Sequence, residues 1–323
     1  MYTAIIIILV VLAGWLVTTG VKNKNKLKTT GGIVIGAFTF LFFWLMGFWG
    51  EMLWFRSIGF PERFWLFRLT RYGFIVGGFI LGFLVVYLLG FSLTGIRKNL
   101  RRGTAVIGGL AMAFWGSENW DTYLKFMNRV EAGQTEPIFN MDAGFYLFTL
   151  PFLDSIFLIL ALLLVITIMA TVIDSFTFQK VGNSVKIEKK EKNEKESGKK
   201  YRSLYLSAGL FLVVMAFMKY LQRYHLLYSD YGVVSGPGWT DINVRLPALT
   251  VIIVITMTAA LMVFIPSLRQ WFGKYIGRIN KKVRDQRFSQ LIAVYIVTFV
   301  LWFIGLTIIP ELFQWLKVEP NEL

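Results

Sequence analysis

Twenty-four of the 34 lysines and arginines fall in four short segments, Val21 to Thr30, Gly95 to Arg102, Asp174 to Ser203 and Ser267 to Arg287, each flanked by long apolar runs. A helix needs about 20 apolar residues to cross hydrocarbon, and basic loops are retained on the cytoplasmic side. The pattern describes a chain threaded repeatedly through a bilayer with its basic loops inside. Six acidic residues (Asp174, Glu188, Glu191, Glu194, Glu196, Asp285) accompany those 24 cations, so the expected inner side carries +18 and the outer side −3, which together give the formal +15. The basicity is therefore a topology signal, and no nucleic acid is expected as a partner. The chain has no cysteine, which excludes disulfides, thiolate metal sites and thiol nucleophiles.

The apolar runs give a path. Thr3 to Thr18 has no basic residue before it and no small-residue cleavage site after it, so it should anchor with the N-terminus outside. Gly31 to Gly50 then leads out, Tyr72 to Phe91 in, Ser155 to Ile173 in, Leu204 to Tyr224 out, Leu246 to Ile265 in and Phe288 to Ile309 out. Two successive inward crossings require an outward one between them, and Gly103 to Trp115 is the candidate. It is short, so it must be extended by flanking residues, thin the bilayer, or re-enter. The expectation is an all-α polytopic bundle of about 8 crossings, or 7 if residues 103–115 re-enter, with extracytoplasmic loops and interfacial helices and with both termini outside. Ser117 can N-cap one such interfacial helix, stopped by Gly133, and Pro61 can open another over Glu62 to Arg71. By composition the chain divides into a first membrane subdomain, residues 1–185 (about 5 crossings), a Lys/Glu linker at 186–200 with too little apolar content to fold, a second membrane subdomain at 201–310 (3 crossings), and 311–323 as the start of an extracytoplasmic region.

Polar residues worth weighing cluster at the outer ends of the crossings. Lys219 and Arg223 lie on one face of the sixth run and can serve as interface anchors, as partners of an outer carboxylate, or in anion handling. His225 follows them as the single histidine, too few for a multi-histidine zinc site. Two outer loops are rich in turn residues. One, Glu136 to Asp154, places Asp142 and Gly144 in a turn between Pro137 and Pro151. The other, Tyr224 to Arg245, carries Asp230, Asp241 and the Gly236-Pro237-Gly238 turn ahead of Arg245. Asp is used in such turns mostly as a cap, with Arg245 as a natural ion partner, and binding of a cation by two such carboxylates is the less common use. No phosphate-binding glycine loop, nucleophile motif or metal-ligand spacing is present, so no cofactor, no metal and no catalytic set is assigned.

Glu136-Pro137-Ile138-Phe139, then Asp142 with Gly144-Phe145-Tyr146-Leu147-Phe148, then Leu150-Pro151-Phe152, resembles a run found in the UPF0182 family of uncharacterised bacterial and archaeal integral membrane proteins. Gly236 to Asp241 with Leu246-Pro247, Trp54-Phe55 with Gly59-Phe60, and the final Val318 to Leu323 also resemble that family's segments, in order and spacing. Glu136 and Trp239 stand where the family more often has Asp and Tyr. The resemblance implies an architecture, a membrane bundle followed by a large hydrophilic region, and it carries over no active site. On it this chain is expected to be the membrane part of a longer protein. The expected function is to anchor and position an extracytoplasmic domain in the plasma membrane, in an envelope-related scaffolding or assembly role. Its expected partners are the lipid bilayer, other envelope proteins and copies of itself. A transporter or channel is the first alternative, and a membrane-embedded enzyme using Asp142, Asp230, Asp241 or His225 is the second.

Overall fold

Long helices follow from apolar runs about 20 residues in length, whose backbone groups must be satisfied internally in hydrocarbon. The computed structural model describes residues 2–91, 98–174, 176–181, 184–189, 194–229, 236–276 and 287–322. Its helices are α1 (Tyr2–Lys22), α2 (Lys26–Ser57), α3 (Pro61–Leu89), α4 (Lys98–Met127), α5 (Leu150–Ile173), α6 (Glu194–His225), α7 (Leu246–Phe264), α8 (Pro266–Ile276), α9 (Arg287–Phe303) and two short continuations, α10 (Ile309–Phe313) and α11 (Glu319–Glu322). Among the described residues, seven helical stretches are long and apolar enough to cross a membrane. The protein is an all-α, multi-pass membrane bundle. An antiparallel hairpin of β1 (Phe176–Val181) and β2 (Ser184–Lys189), paired from Phe176 with Lys189 to Val181 with Ser184, follows α5.

The chain separates into two compact units, Met1–Thr70 and Arg71–Leu323, with the division inside α3. In the first unit α1 and α2 form a hairpin. Lys24 turns the chain at φ 51°, and Asn25 caps α2 by accepting from the Lys28 N–H at 3.2 Å. The two helices touch through small residues: a Cβ on Gly32 would stand 2.8 Å from the Ala13 carbonyl oxygen, a separation that only glycine allows. After the Gly59 turn at φ +80°, Pro61 opens α3, its missing N–H being one of the unpaired donors of a first turn. Phe64, 1% exposed, then packs against Phe48, Phe55 and Trp65, while Arg68 lies over Phe48 and Phe64 and pairs with Glu51.

In the second unit the latter part of α3 and α4 lie antiparallel along glycine faces. Gly82 meets the Gly108 carbonyl, Gly78 meets that of Met112, and Gly116 meets that of Phe74. Val86 and Ala105 close this contact with Ile159 and Leu163 of α5. Next to α5 runs α6, whose Leu204, Ala208 and Leu212 pack with Ala259, Ala260 and Val263 of α7 and with Leu291 and Val294 of α9. Polar contacts tie these helices further: Tyr295 OH donates to the Ala208 carbonyl at 2.7 Å, and Trp302 Nε1 donates to Thr256 Oγ1 at 2.8 Å. Helix α5 also packs on α6 through Ala161, Leu164 and Val214. One end of the bundle, the arginine end, gathers Arg101, Arg202 and Arg269; the other, the loop end, carries the two turn-rich loops.

Four prolines interrupt helices, and each is preceded by a five-residue π turn. Phe145–Thr149 precedes Leu150-Pro151, Asp241–Arg245 precedes Leu246-Pro247, Ile304–Ile308 precedes Ile309-Pro310, and Gln314–Val318 precedes Glu319-Pro320. In each case the residue before proline donates its N–H to the carbonyl five positions back, as Leu150 does to Phe145. Proline removes one donor and clashes with the carbonyl four back, and widening the turn relieves both without ending the helix.

Several expectations are corrected. Ser117 does not cap a separate helix: it lies inside α4, with its hydroxyl donating back to the Phe114 carbonyl at 2.9 Å, because Gly116 packs against Phe74 and leaves the helix unbroken. Glu62 to Arg71 is likewise the first part of α3, since nothing between Pro61 and Leu89 breaks it. By contrast, the extension by flanking residues expected for Gly103 to Trp115 is present: the segment lies in a helix of 30 residues, about 45 Å at 1.5 Å per residue, that continues past Gly116. It is long enough to cross but not apolar enough to count among the seven. The crossing that starts near Phe288 does not stop at Ile309; its π turns carry it to Val318, with α11 following. Within 186–200, Lys186 to Lys189 belong to β2 and Glu194 onward to α6, and residues 190–193 lie outside the described residues.

Candidate functional site

At the loop end, Gly133 turns at φ +71° and Asn140 at φ +53°, folding residues 131–144 back over the start of α5. Two carboxylates hold this fold. Asp142 Oδ1 accepts from the Ala132 and Gly144 N–H groups at 2.9 and 2.7 Å, and Oδ2 accepts from Gly133 N–H at 2.9 Å. Gly144 is required there, as a Cβ would stand 2.6 Å from the Val130 carbonyl oxygen. The Glu136 carboxylate accepts from Ile138 and Phe139 N–H at 2.6 and 2.8 Å and from Tyr146 OH at 2.9 Å. The Ala132 and Gly144 N–H groups hold the Asp142 carboxyl below its usual range. For Glu136 burial pushes the other way, and the N–H and phenol donors outweigh it.

Tyr146 carries the loop onto α6. It is buried with Leu150, Leu221 and Tyr224, and Phe139 and Phe145 pack on the same Tyr224 ring at 4.9 and 5.0 Å. Tyr224 and Tyr220 share a hydroxyl hydrogen bond of 2.9 Å. Arg223 places its guanidinium over Phe139 and Tyr220, at 5.8 and 5.6 Å from their centroids. Lys219, four residues earlier, turns elsewhere: it lies 5.0 Å from the Trp302 ring and donates to Gln222 at 2.9 Å. The two cations therefore serve separate contacts. His225 Nε2 lies 2.8 Å from Asp154 Oδ2, joining the end of α6 to the N-terminal part of α5. An open groove of about 450 Å³ beside the loop is lined by Arg129, Glu131, Phe145 and Thr149.

The second loop folds on a different partner. Asp241, 2% exposed, accepts from Gly238 N–H at 3.0 Å and from Arg245 Nη1 at 2.6 Å, so both its oxygens are used in its own turn. Trp239 stacks on Phe313 at 5.2 Å and 8°, and Thr240 Oγ1 donates to Gln314 at 2.5 Å. Asp230 lies outside the described residues.

Asp142 and Asp241 thus cap separate turns, and His225 is paired with Asp154. Among the described residues no three histidines, aspartates or glutamates stand together as a metal site. Two partners went unread in the sequence. Tyr146 holds Glu136 from ten residues away, and Asp154 holds His225 from 71 away.

Comparison with known proteins adds the lineage. The model of the Uncharacterised protein family (UPF0182) matches residues 28–323. UPF0182 proteins of Geobacter sp. strain M21 and Trichlorobacter lovleyi are each 28% identical, over 87% and 90% of this chain and 32% of their own length. One from Clostridium perfringens is 28% identical over 78% of this chain and 30% of its own. The chain spans about a third of the length of these curated relatives. No solved structure matches it. With its bundle, its Glu136 to Phe152 run and nearly its whole length inside that match, the chain belongs to the UPF0182 family.

Proposed function

We propose that this chain is a plasma-membrane platform that anchors and positions an extracytoplasmic region, with both termini and the loop end outside and the arginine end inside, in an envelope assembly role. The observation that carries this reading is the use of the loop-end carboxylates: Glu136, Asp142 and Asp241 bind N–H, phenol and guanidinium donors of their own surroundings. Such groups build a rigid cap and are not left to hold a substrate. The relatives extend well beyond the matched third, and that length is what a platform would carry. The split of basic residues supports the orientation.

The test has two arms. Cysteines placed at Ala132 and at Ser197 in the cysteine-free background should react differently with an impermeant reagent in intact cells: Ala132→Cys labelled, Ser197→Cys protected. The reverse pattern overturns the orientation. Proteoliposomes containing the purified protein should stay as tight to ions and small solutes as empty ones. A protein-dependent flux would replace the platform with a transporter or channel.

A further inference from the structure

The arginine end carries an amphipathic cleft that the platform reading does not use. Pro266 forces Ile265 into extended backbone (φ −92°, ψ 112°), so α7 stops at Phe264 and α8 starts in a new direction. Arg269 caps the break: its Nη1 donates to the Val263 carbonyl at 2.9 Å, and its guanidinium lies 3.5 Å from the centroid of the Tyr205 ring. Across from it stand Tyr201 and Arg202 of α6. Between them opens a cleft of about 420 Å³, whose wall continues into Leu206 and Phe264. The lining is therefore mixed, cationic and phenolic at Arg202, Arg269, Tyr201 and Tyr205 and apolar at Leu206 and Phe264.

The outer face of α8 tells what surrounds this cleft. Leu268, Trp271 and Tyr275 recur at three- and four-residue spacing and are 39%, 62% and 62% exposed, with the two aromatic rings stacked at 6.2 Å. An exposed stripe of Trp, Tyr and Leu beside Lys274 is the composition of a helix lying at headgroup depth. A cleft beside such a helix lies at the depth of lipid phosphates. Arg202 is exposed at its mouth, and among the described residues it forms no ion pair.

We propose that this cleft binds the phosphodiester headgroup of an anionic phospholipid, with Arg202 on the phosphate, Arg269 forming the cationic floor, Tyr201 at the rim, and Leu206 and Phe264 against the first carbons of an acyl chain. A guanidinium matches two phosphate oxygens at once, so loss of Arg202 should cost on the order of ten-fold in affinity.

The full chain would be placed in phosphatidylcholine nanodiscs with and without phosphatidylglycerol. Retained lipid would be counted by native mass spectrometry, and thermal stability followed in parallel. Phosphatidylglycerol should be retained and should raise the melting temperature. Arg202→Gln should weaken retention about ten-fold, while Arg102→Gln, an exposed cation of the same end, should leave it unchanged. Arg269→Gln removes a helix cap and can unfold the protein; Arg269→Lys keeps the charge, and on this proposal it folds and retains lipid only weakly. Equal losses with Arg102→Gln would reduce the effect to diffuse surface attraction and overturn the site. Stabilisation by inorganic phosphate or glycerol phosphate in detergent, without any preference for phosphatidylglycerol, would overturn the lipid assignment.

Discussion

Helices α1 and α6 are both long enough to cross a bilayer, yet 44% of the apolar stretch of α6 is buried against protein and only 11% of that of α1. The order of apolarity runs the other way, since the stretch in α6 is the least apolar of the seven. In α6 the covered positions include Ser203, Ser207, Ala208 and Ala216 beside the larger Leu204, Tyr205, Leu212, Val214, Leu221 and Tyr224; in α1 the exposed ones include Ile7, Ile8, Val10 and Val11. Lipid tails are as apolar as leucine, so helices gain nothing by hiding leucine from them, and small or hydroxyl-bearing faces that allow close approach mark contact with protein. Between these two helices the more apolar one faces lipid and the less apolar one faces neighbours, whereas the stretch in α5 is the most apolar of the seven and still 39% buried.

The contrast breaks first at Leu212. Leu212→Ala should cost about 2 kcal/mol, the cavity part of a core truncation without the water-transfer part, read as lowered resistance to unfolding by SDS. A cost near zero would mean that α6 faces lipid. Gly32→Ala should cost about 1 kcal/mol by the same assay, because the new methyl meets the Ala13 carbonyl at 2.8 Å and pushes α1 from α2. In the loop end the effect is a pH dependence. Asp142 and Glu136 have folded pKa values below their ordinary 3.8 and 4.5. Their contribution is therefore complete above about pH 5 and is lost as pH falls through the lowered values. The amide resonances of Gly133 and Gly144 should titrate only in that acid range, and Asp142→Asn should abolish the titration; a midpoint near pH 6 would contradict the capping. The smallest change belongs to α1, where Ile8→Ala and Val11→Ala should each stay within about 0.5 kcal/mol because lipid fills the space.

The crossings were readable because about 20 apolar residues between charged segments admit few other structures. What escaped reading was where helices stop. Ser117 and Pro61 carry start signals, but at Ser117 the signal is overridden by a glycine seated on Phe74, and Pro61 begins an element that continues through Arg71 into the next crossing. Local propensity could not foresee contacts between residues some forty positions apart. The loop carboxylates were legible as turn caps from their Gly and Pro neighbours, and Arg245 as a partner of Asp241 from the four-residue spacing. The Glu136–Tyr146 and His225–Asp154 pairs, and the whole cleft at Arg202, depend on which helix faces which, and no periodicity announces that.

The π turns before Pro151, Pro247 and Pro310 have a geometric corollary. Each inserts about one residue relative to an α-helix, so the face that points inward before the turn is rotated by about 100° from the one that points inward after it. The loop end and the interior of these three crossings are thus set at independent azimuths, like two gears keyed separately to one shaft. A single-residue deletion confined to such a turn would swing the cap by that angle and draw it about 1.5 Å inward, while every contact on the far side of the proline kept its place.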